Sequence, residues 1–402
     1  SAAVYPLRPT FERLDYQAEK LGGWLRPYIG GKNTRYALIA FAIIVLITGL
    51  NSVRIRRATQ VTNETIAQNE TLLTNVEELL AKVESDIKLQ QDVEAQNLIK
   101  EAEDTLASVR NLSPAQSARR DAASALLLAK SDTLTKTTRP PIAAEIKVDA
   151  STTTLTASEK GIFALSSASP TGSFTTSDIA ATNTPFTLSD GANPLDATYS
   201  PDADETLVLT SKKSIDSVRK ENDTVTVTKR QNPLGDFAEA KRLAVFNNNL
   251  YLLDPNNGLL WKYSRSGDNY SRGISQADQA DINLTGALDL TIDGYIYVLQ
   301  KDGSIVKLLR GKPEGDFTLN NLPKTIDPAT FVALTTADNT ENLFVLAAAS
   351  NGARVVVLDK KGAYVKQYAF SQPVENPTDI TFSNKDKRLW IVGDGVALAI
   401  QL

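Results

Sequence analysis

A four-residue apolar motif returns six times through the C-terminal two-thirds of this chain. Its copies are Ile162-Phe-Ala-Leu, Thr206-Leu-Val-Leu, Leu250-Tyr-Leu-Leu, Ile296-Tyr-Val-Leu, Leu343-Phe-Val-Leu and Leu389-Trp-Ile-Val. Successive copies start 44, 44, 46, 47 and 46 residues apart. Self-similarity at that period marks a β-propeller, in which each repeat supplies one four-stranded blade.

Each repeat parses into strands A to D, running from the axis outwards. In the third, Leu243-Ala-Val-Phe, Leu250-Tyr-Leu-Leu and Leu260-Trp-Lys-Tyr supply A, B and C, and Asp254-Pro-Asn-Asn-Gly258 joins B to C with turn formers. In the fourth, Leu288-Asp-Leu-Thr, Ile296-Tyr-Val-Leu and Ile305-Val-Lys-Leu do the same around Lys301-Asp-Gly. The sixth repeat stops at Leu402 without an outer strand, while Ile142-Ala-Ala-Glu-Ile-Lys-Val148 stands unassigned ahead of the first. Pairing these two closes the ring and hides both edges.

On the aliphatic-aromatic B strand and the turn after it, residues 142–402 resemble NHL-type and related six-bladed propellers. Propellers of that kind present loops on a rigid disc, so the resemblance implies binding more than chemistry. The order of segments also resembles bacterial proteins that join an anchor helix, a helical stalk and an external propeller.

The anchor in that likeness matches residues 36–53, which carry no charge. As a helix they would span about 27 Å, close to a hydrocarbon core. Lys32 and Arg35 stand on one side, and Arg54, Arg56 and Arg57 on the other. Counting Lys20, Arg26, Lys32 and Arg35 against those three arginines leaves the orientation nearly balanced. A short tail ahead of a large domain favours an N-terminus inside and a propeller outside the cell membrane. In the tail, Phe11, Leu14, Ala18 and Leu21 share a helical face after Thr10. The chain starts at Ser1 rather than Met, which raises the expectation of processing or truncation.

Beyond the span, no glycine occurs from Gly49 to Gly161, and no proline from Pro27 to Pro114. Leu73, Val76, Leu80, Val83 and Ile87 step as a coiled-coil seam, and Ile99, Ala102, Leu106 and Val109 repeat it; so few heptads favour antiparallel packing within the chain over one extended stalk. Ser113-Pro114 reads as a cap and first-turn proline for a further helix, and Asp92 as a candidate cap for the one before. The expected fold is therefore multidomain, α then β. It comprises a tail (1–35), a single transmembrane helix (36–53), a helical stalk or coiled-coil bundle (54–134), a linker around Arg139-Pro140-Pro141 (135–141) and a six-bladed propeller (142–402).

The chain contains no Cys, no His and no Met. This excludes disulfides, thiolate or imidazole metal sites, cysteine nucleophiles and Ser-His-Asp triads. A net charge of −4 gives no reason to expect nucleic acid. No phosphate loop or dinucleotide fingerprint occurs, and no cofactor is expected. The recurring acidic or amide-rich turns place Asp254, Asn256, Asn257, Asp302, Asn351 and Asp394 in B–C loops, which gather on one face of a propeller. There they line a recognition surface, since loops on a rigid scaffold carry function. Tight turns also require these residue types. The order of a calcium loop is matched at none of them, and no metal or catalytic residue is assigned.

The function expected is a non-enzymatic, membrane-anchored scaffold that contacts the bilayer and other membrane or cell-surface proteins, with self-association through the stalk. One alternative is a lyase or hydrolase using channel carboxylates. Another is a transducer whose tail docks a partner.

Overall fold

Each copy of the motif forms strand B of a blade, and its residues, Thr206 excepted, are apolar because that strand is covered on both faces. The first and third residues of a copy face the preceding blade, and the second and fourth face the next. Thus Ile162 and Ala164 pack with Trp390 and Val392 of the sixth blade, while Phe163 and Leu165 pack with Val208 and Val218 of the second. The same alternation puts Leu250 and Leu252 against blade 2, and Tyr251 and Leu253 against blade 4. Tyr297, Phe344 and Trp390 repeat the large second residue, each nearly free of solvent. Period-two side-chain alternation thus fills two inter-blade cores from one short run.

A computed structural model describes residues 64–176, 183–276, 282–315, 317–337, 339–350 and 352–402. Its sheets form six blades. The A strands are Thr154–Ala157, Pro194–Ser200, Arg242–Phe246, Asp289–Ile292, Phe331–Thr335 and Pro377–Ser383. Each lies beside the next, and the sixth lies beside the first, so the ring is closed. Closure follows the expected route, because Ile142–Lys147 pairs antiparallel with the final strand, Val396–Gln401, as the outermost strand of blade 6.

The outer edges of the blades differ. Blade 1 ends in Asn183–Thr187, which contains Pro185. The outer strands of blades 3 and 4, Ile274–Ser275 and Lys312–Pro313, are two residues each. Blade 6 ends in the closing strand, which carries a register shift between Ile142 and Ala144. On blade 5 a further strand, Thr137–Thr138, runs parallel to Tyr364–Ala369. Buried Gln367 holds it there, donating from Nε2 to Thr137 Oγ1 at 2.7 Å, and the Tyr364 hydroxyl donates to the Thr135 carbonyl. The expected linker therefore begins as sheet. Blade 2 alone ends in a long uninterrupted strand, Thr224–Arg230.

The expectation of a transmembrane helix followed by a stalk or coiled coil needs correction. Two compact units meet between Leu128 and Ala129. The first contains α1 (described over 64–88), α2 (Asp92–Ser108) and the start of α3 (Pro114–Leu134). None of these helices is long and apolar enough to cross a membrane. Residues 36–53, with the tail before them, lie outside the described residues.

The seam residues are also satisfied within the chain: Leu73, Val76, Leu80 and Val83 are buried, as are Ala95, Ile99 and Ala102. Side chains tie α3 back to α1. Gln116 donates to the Ile66 carbonyl at 2.8 Å, and Arg119 chelates Glu77 at 2.9–3.0 Å. Asn69 reaches the Arg110 carbonyl at 2.8 Å. Ser113 and Gln116 form a reciprocal capping box that starts α3. Asp92 is the first residue of α2 rather than its cap.

Candidate functional site

The A strands leave a row of backbone N–H groups facing the central channel, where no further strand can pair with them. Side chains from the neighbouring blade supply the missing acceptors. Asp196 of blade 2 accepts from Leu243 N–H of blade 3 at 2.7 Å. Asp289 of blade 4 accepts from Leu334 N–H of blade 5 at 2.8 Å. Asp379 of blade 6 accepts from Leu155 N–H of blade 1 at 2.7 Å. In each, the second carboxylate oxygen takes the N–H of the following residue, Ala197, Leu290 or Ile380. Three carboxylates on alternate blades thus staple the ring in three places.

The strand registers explain the spacing. Opposite the fourth motif residue of the six blades stand Thr154, Asp196, Arg242, Asp289, Ala333 and Asp379. Two residues further on, opposite the bulky second motif residue, five blades carry threonine and blade 3 carries Ala244. Small side chains fit there because the motif residue beside them is large. The threonines and aspartates, with other A-strand residues, line a cavity of about 340 Å³ that also reaches A–B loop residues Glu159, Asp202, Asn247 and Lys385.

Burial decides the charge state of the ring. It pushes the Asp196 carboxyl up to about 7, against the pull of Arg242 and with added repulsion from Asp289. Asp289 is also raised by burial, although Arg242 Nε stands 3.7 Å from its Oδ1. Asp379 is raised well above the carboxylate range by burial, then by Asp196 and Asp289. Among the described residues Arg242 is the one cation at this level, and its Nε donates to the Leu288 carbonyl at 2.7 Å. Burial thus favours the protonated form at all three carboxyls. Among the described residues no cluster has the geometry to hold a metal ion.

A second buried carboxylate behaves in the opposite way. Burial raises Glu205, but hydrogen bonds from Ser217, Arg265 and Arg230 outweigh it and leave the group below its usual value. Its side chain is fully enclosed, Arg230 is nearly so, and Arg219 stands 3.2 Å away. This cluster joins blade 2 to the short hairpin of blade 3, Arg265–Ser266 with Asn269–Tyr270.

The turn residues singled out from the sequence lie at the other ends of the strands. In an antiparallel blade the A–B and B–C turns leave strand B at opposite ends, so these residues and the cavity mouth are on opposite faces. Buried Asp254 closes its own turn, accepting from Asn256 N–H at 3.0 Å and Asn257 Nδ2 at 2.7 Å. Asn256 and Asn257 are exposed. Exposed Asp302 accepts from Ser304 N–H at 3.0 Å and its hydroxyl at 2.6 Å, which lowers its pKa. Exposed Asp394 accepts from Asn376 Nδ2 at 2.9 Å. Asn351 lies outside the described residues. The turns of Asp254 and Asp302 are closed on themselves, while Asp394 is held from the loop before its blade's A strand.

Sequence reasoning missed the aspartate ring, although a signal was present. Asn193-Pro-Leu-Asp-Ala-Thr-Tyr-Ser200 and Asn376-Pro-Thr-Asp-Ile-Thr-Phe-Ser383 are two copies of one octet, and Leu288-Asp-Leu-Thr is its shorter form.

No family model matches the chain, and no curated protein does. Among solved structures it is similar to the WD40 repeats of RRP9, at 11% identity and TM-score 0.47 over 66% of this chain and 99% of that one. It is similar to a chain of the mitotic checkpoint complex at 8% identity and TM-score 0.46, over 65% of this chain and 95% of that one. A structural-genomics protein of unknown function from Bacteroides thetaiotaomicron gives 16% identity and TM-score 0.47, covering 65% and 71%. The propeller assignment rests on the strand order itself.

Proposed function

We propose that the propeller is a non-enzymatic binding and assembly module for protein partners, met through the face that carries its B–C turns. One observation carries this reading: all three channel carboxylates are engaged on both oxygens by backbone N–H groups. They hold blades together, and drawing a substrate onto them would break those inter-blade bonds. The B–C face, by contrast, offers Asn256, Asp302 and Asp394 as exposed groups on turns already ordered by their own hydrogen bonds. Side chains fixed before binding lose little entropy on contact.

The test is the pair Asp302→Lys and Asp394→Lys in the full chain, both exposed and away from the ring. Partners captured by cross-linking in the native cell should fall at least tenfold in yield, with an unchanged melting temperature. Equal capture by wild type and variant would sink this face as the contact surface.

One observation favours a second reading, a carboxylate-based lyase or hydrolase. Asp196 titrates at about 7 beside a cavity of about 340 Å³, the range in which a general acid or base works. Turnover of a polysaccharide or ester panel by the wild type, abolished in a folded Asp196→Ala variant, would replace the scaffold reading.

A further inference from the structure

The outer strand of blade 2 is the exception among the propeller's edges. Thr224–Arg230 pairs along all seven residues with strand C of its blade. It contains no proline, no bulge and no covering strand, and its far edge has no partner strand among the described residues. Every other blade is guarded by proline, by shortness, by a register shift or by the strand Thr137–Thr138. A long regular edge of β-branched residues is a template for another strand.

The sequence of this edge says which strand fits. Thr224-Val-Thr-Val-Thr228 reads identically in both directions, with Thr226 at its centre. Asp223 precedes it and Lys229 follows it, both exposed, and Lys229 Nζ also holds Asp190 at 2.7 Å within its own chain. We propose that a second copy of this chain pairs here, antiparallel, about a two-fold axis through Thr226. That axis sets Val225 opposite the other copy's Val227, Thr224 opposite Thr228, and Asp223 opposite Lys229. Opposite charges meet at both ends, where a parallel or shifted register would place like groups together or leave them alone.

The hydrogen-bonding groups point the right way. Asn222 and Asp223 make a two-residue hairpin turn closed by Glu221 and Thr224. The closing pair of such a hairpin exchanges hydrogen bonds, and the pattern alternates from there. Thr224, Thr226 and Thr228 therefore turn their backbone groups inward. Val225, Val227 and Lys229 turn theirs to the free edge. Pairing about Thr226 brings Val225 and Val227 together as a pair that exchanges both bonds, twice over. The valine side chains already pack on the core between blades 1 and 2, so the pairing needs no rearrangement. The interface is isologous, as closed dimers require. It is separate from the B–C face proposed above.

The chain has no Cys, which makes cross-linking decisive. On the axis, Thr226 faces its own copy as a non-hydrogen-bonded pair with Cα atoms about 4.5 Å apart, within disulfide reach. Thr224 and its own copy would stand about 13 Å apart along the strand. The exposed variants Thr226→Cys, Thr224→Cys and Thr228→Cys are made in the full chain and mildly oxidised. Thr226→Cys should form a covalent dimer alone, while Thr224→Cys and Thr228→Cys should cross-link only when mixed. Adding Val225→Pro to Thr226→Cys removes an outward N–H and should abolish the product, whereas Val225→Ala, which gives up core packing but keeps that N–H, should still form it. The proposal is overturned if Thr226→Cys stays monomeric. It is also overturned if the off-axis variants cross-link alone as readily.

Discussion

The inner and outer rims of the propeller face one difficulty, the unpaired edge of a sheet, and answer it with different parts. At the outer rim there is room for more chain, so blade 5 takes Thr137–Thr138 and blade 6 takes Ile142–Lys147 as added strands. Around the channel there is no such room, and Asp196, Asp289 and Asp379 cap single N–H groups from the side. A strand satisfies an edge with neutral groups. A carboxylate satisfies it by bringing charge into a confined space, which is why the ring aspartates resist ionisation. Glu205 shows what that space lacks: with Arg219, Arg230 and Arg265 against it, a fully enclosed carboxylate stays ionised.

The sharpest way to break the comparison is at the outer rim. Replacing Ile142–Lys147 with Gly and Ser of equal length removes the ladder to the last strand and the burial of Ile146. The expected loss is roughly 5 kcal/mol or more, read as a fall in the calorimetric midpoint and a broadened transition. Next in size is Glu205→Ala, which leaves Arg230 buried beside an empty site and should cost about 3–5 kcal/mol by chemical denaturation. Glu205→Gln should recover part of that. At the inner rim, Asp289→Ala orphans Leu334 N–H and should cost about 1–3 kcal/mol. A cost above that of the closing strand would reverse the ranking of the two rims.

Acid and base limbs separate the two kinds of carboxylate. Asp196 is raised in the fold from 3.8 to about 7, so its protonated form stabilises the ring below about 4, and that contribution disappears as pH rises to about 7. Glu205 is lowered in the fold, so its contribution is present above 4.5 and is lost as pH falls through its depressed value. Melting temperature should therefore decline from pH 5 to pH 7 in the wild type. Asp196→Asn should lessen that decline, leaving the share of Asp289 and Asp379, and Glu205→Gln should leave it in place.

How much of this was legible in the sequence depends on how local the cause is. The B motif was legible because a strand covered on both faces must be apolar at every position, and six copies at one period leave few alternatives. Ring closure was legible for a similar reason, since Ile142–Val148 had no other partner. The aspartate ring was not, because its residues act across blades. Asp379 and Leu155 are bonded yet 224 residues apart. The register shifts at Pro194 and Pro377 also displace the octets relative to the B motif. Attention to glycine turns led instead to Asp254 and Asp302, whose hydrogen bonds stay within their own turns. In the helical unit the heptad steps of Leu73 to Val83 mark a buried seam, and Gln116 and Arg119 fold α3 against α1 so that it is covered within the chain.

The account rests on the channel aspartates as blade staples, and amide hydrogen exchange of Leu155, Leu243 and Leu334 tests that most directly. These N–H groups belong to strand edges facing a water-accessible channel, and their acceptors are Asp379, Asp196 and Asp289. The account predicts protection comparable to the interior strands, with Asp196→Ala releasing Leu243 well before the other two. Rapid exchange at all three in the wild type, or no selective release in the variant, would contradict it.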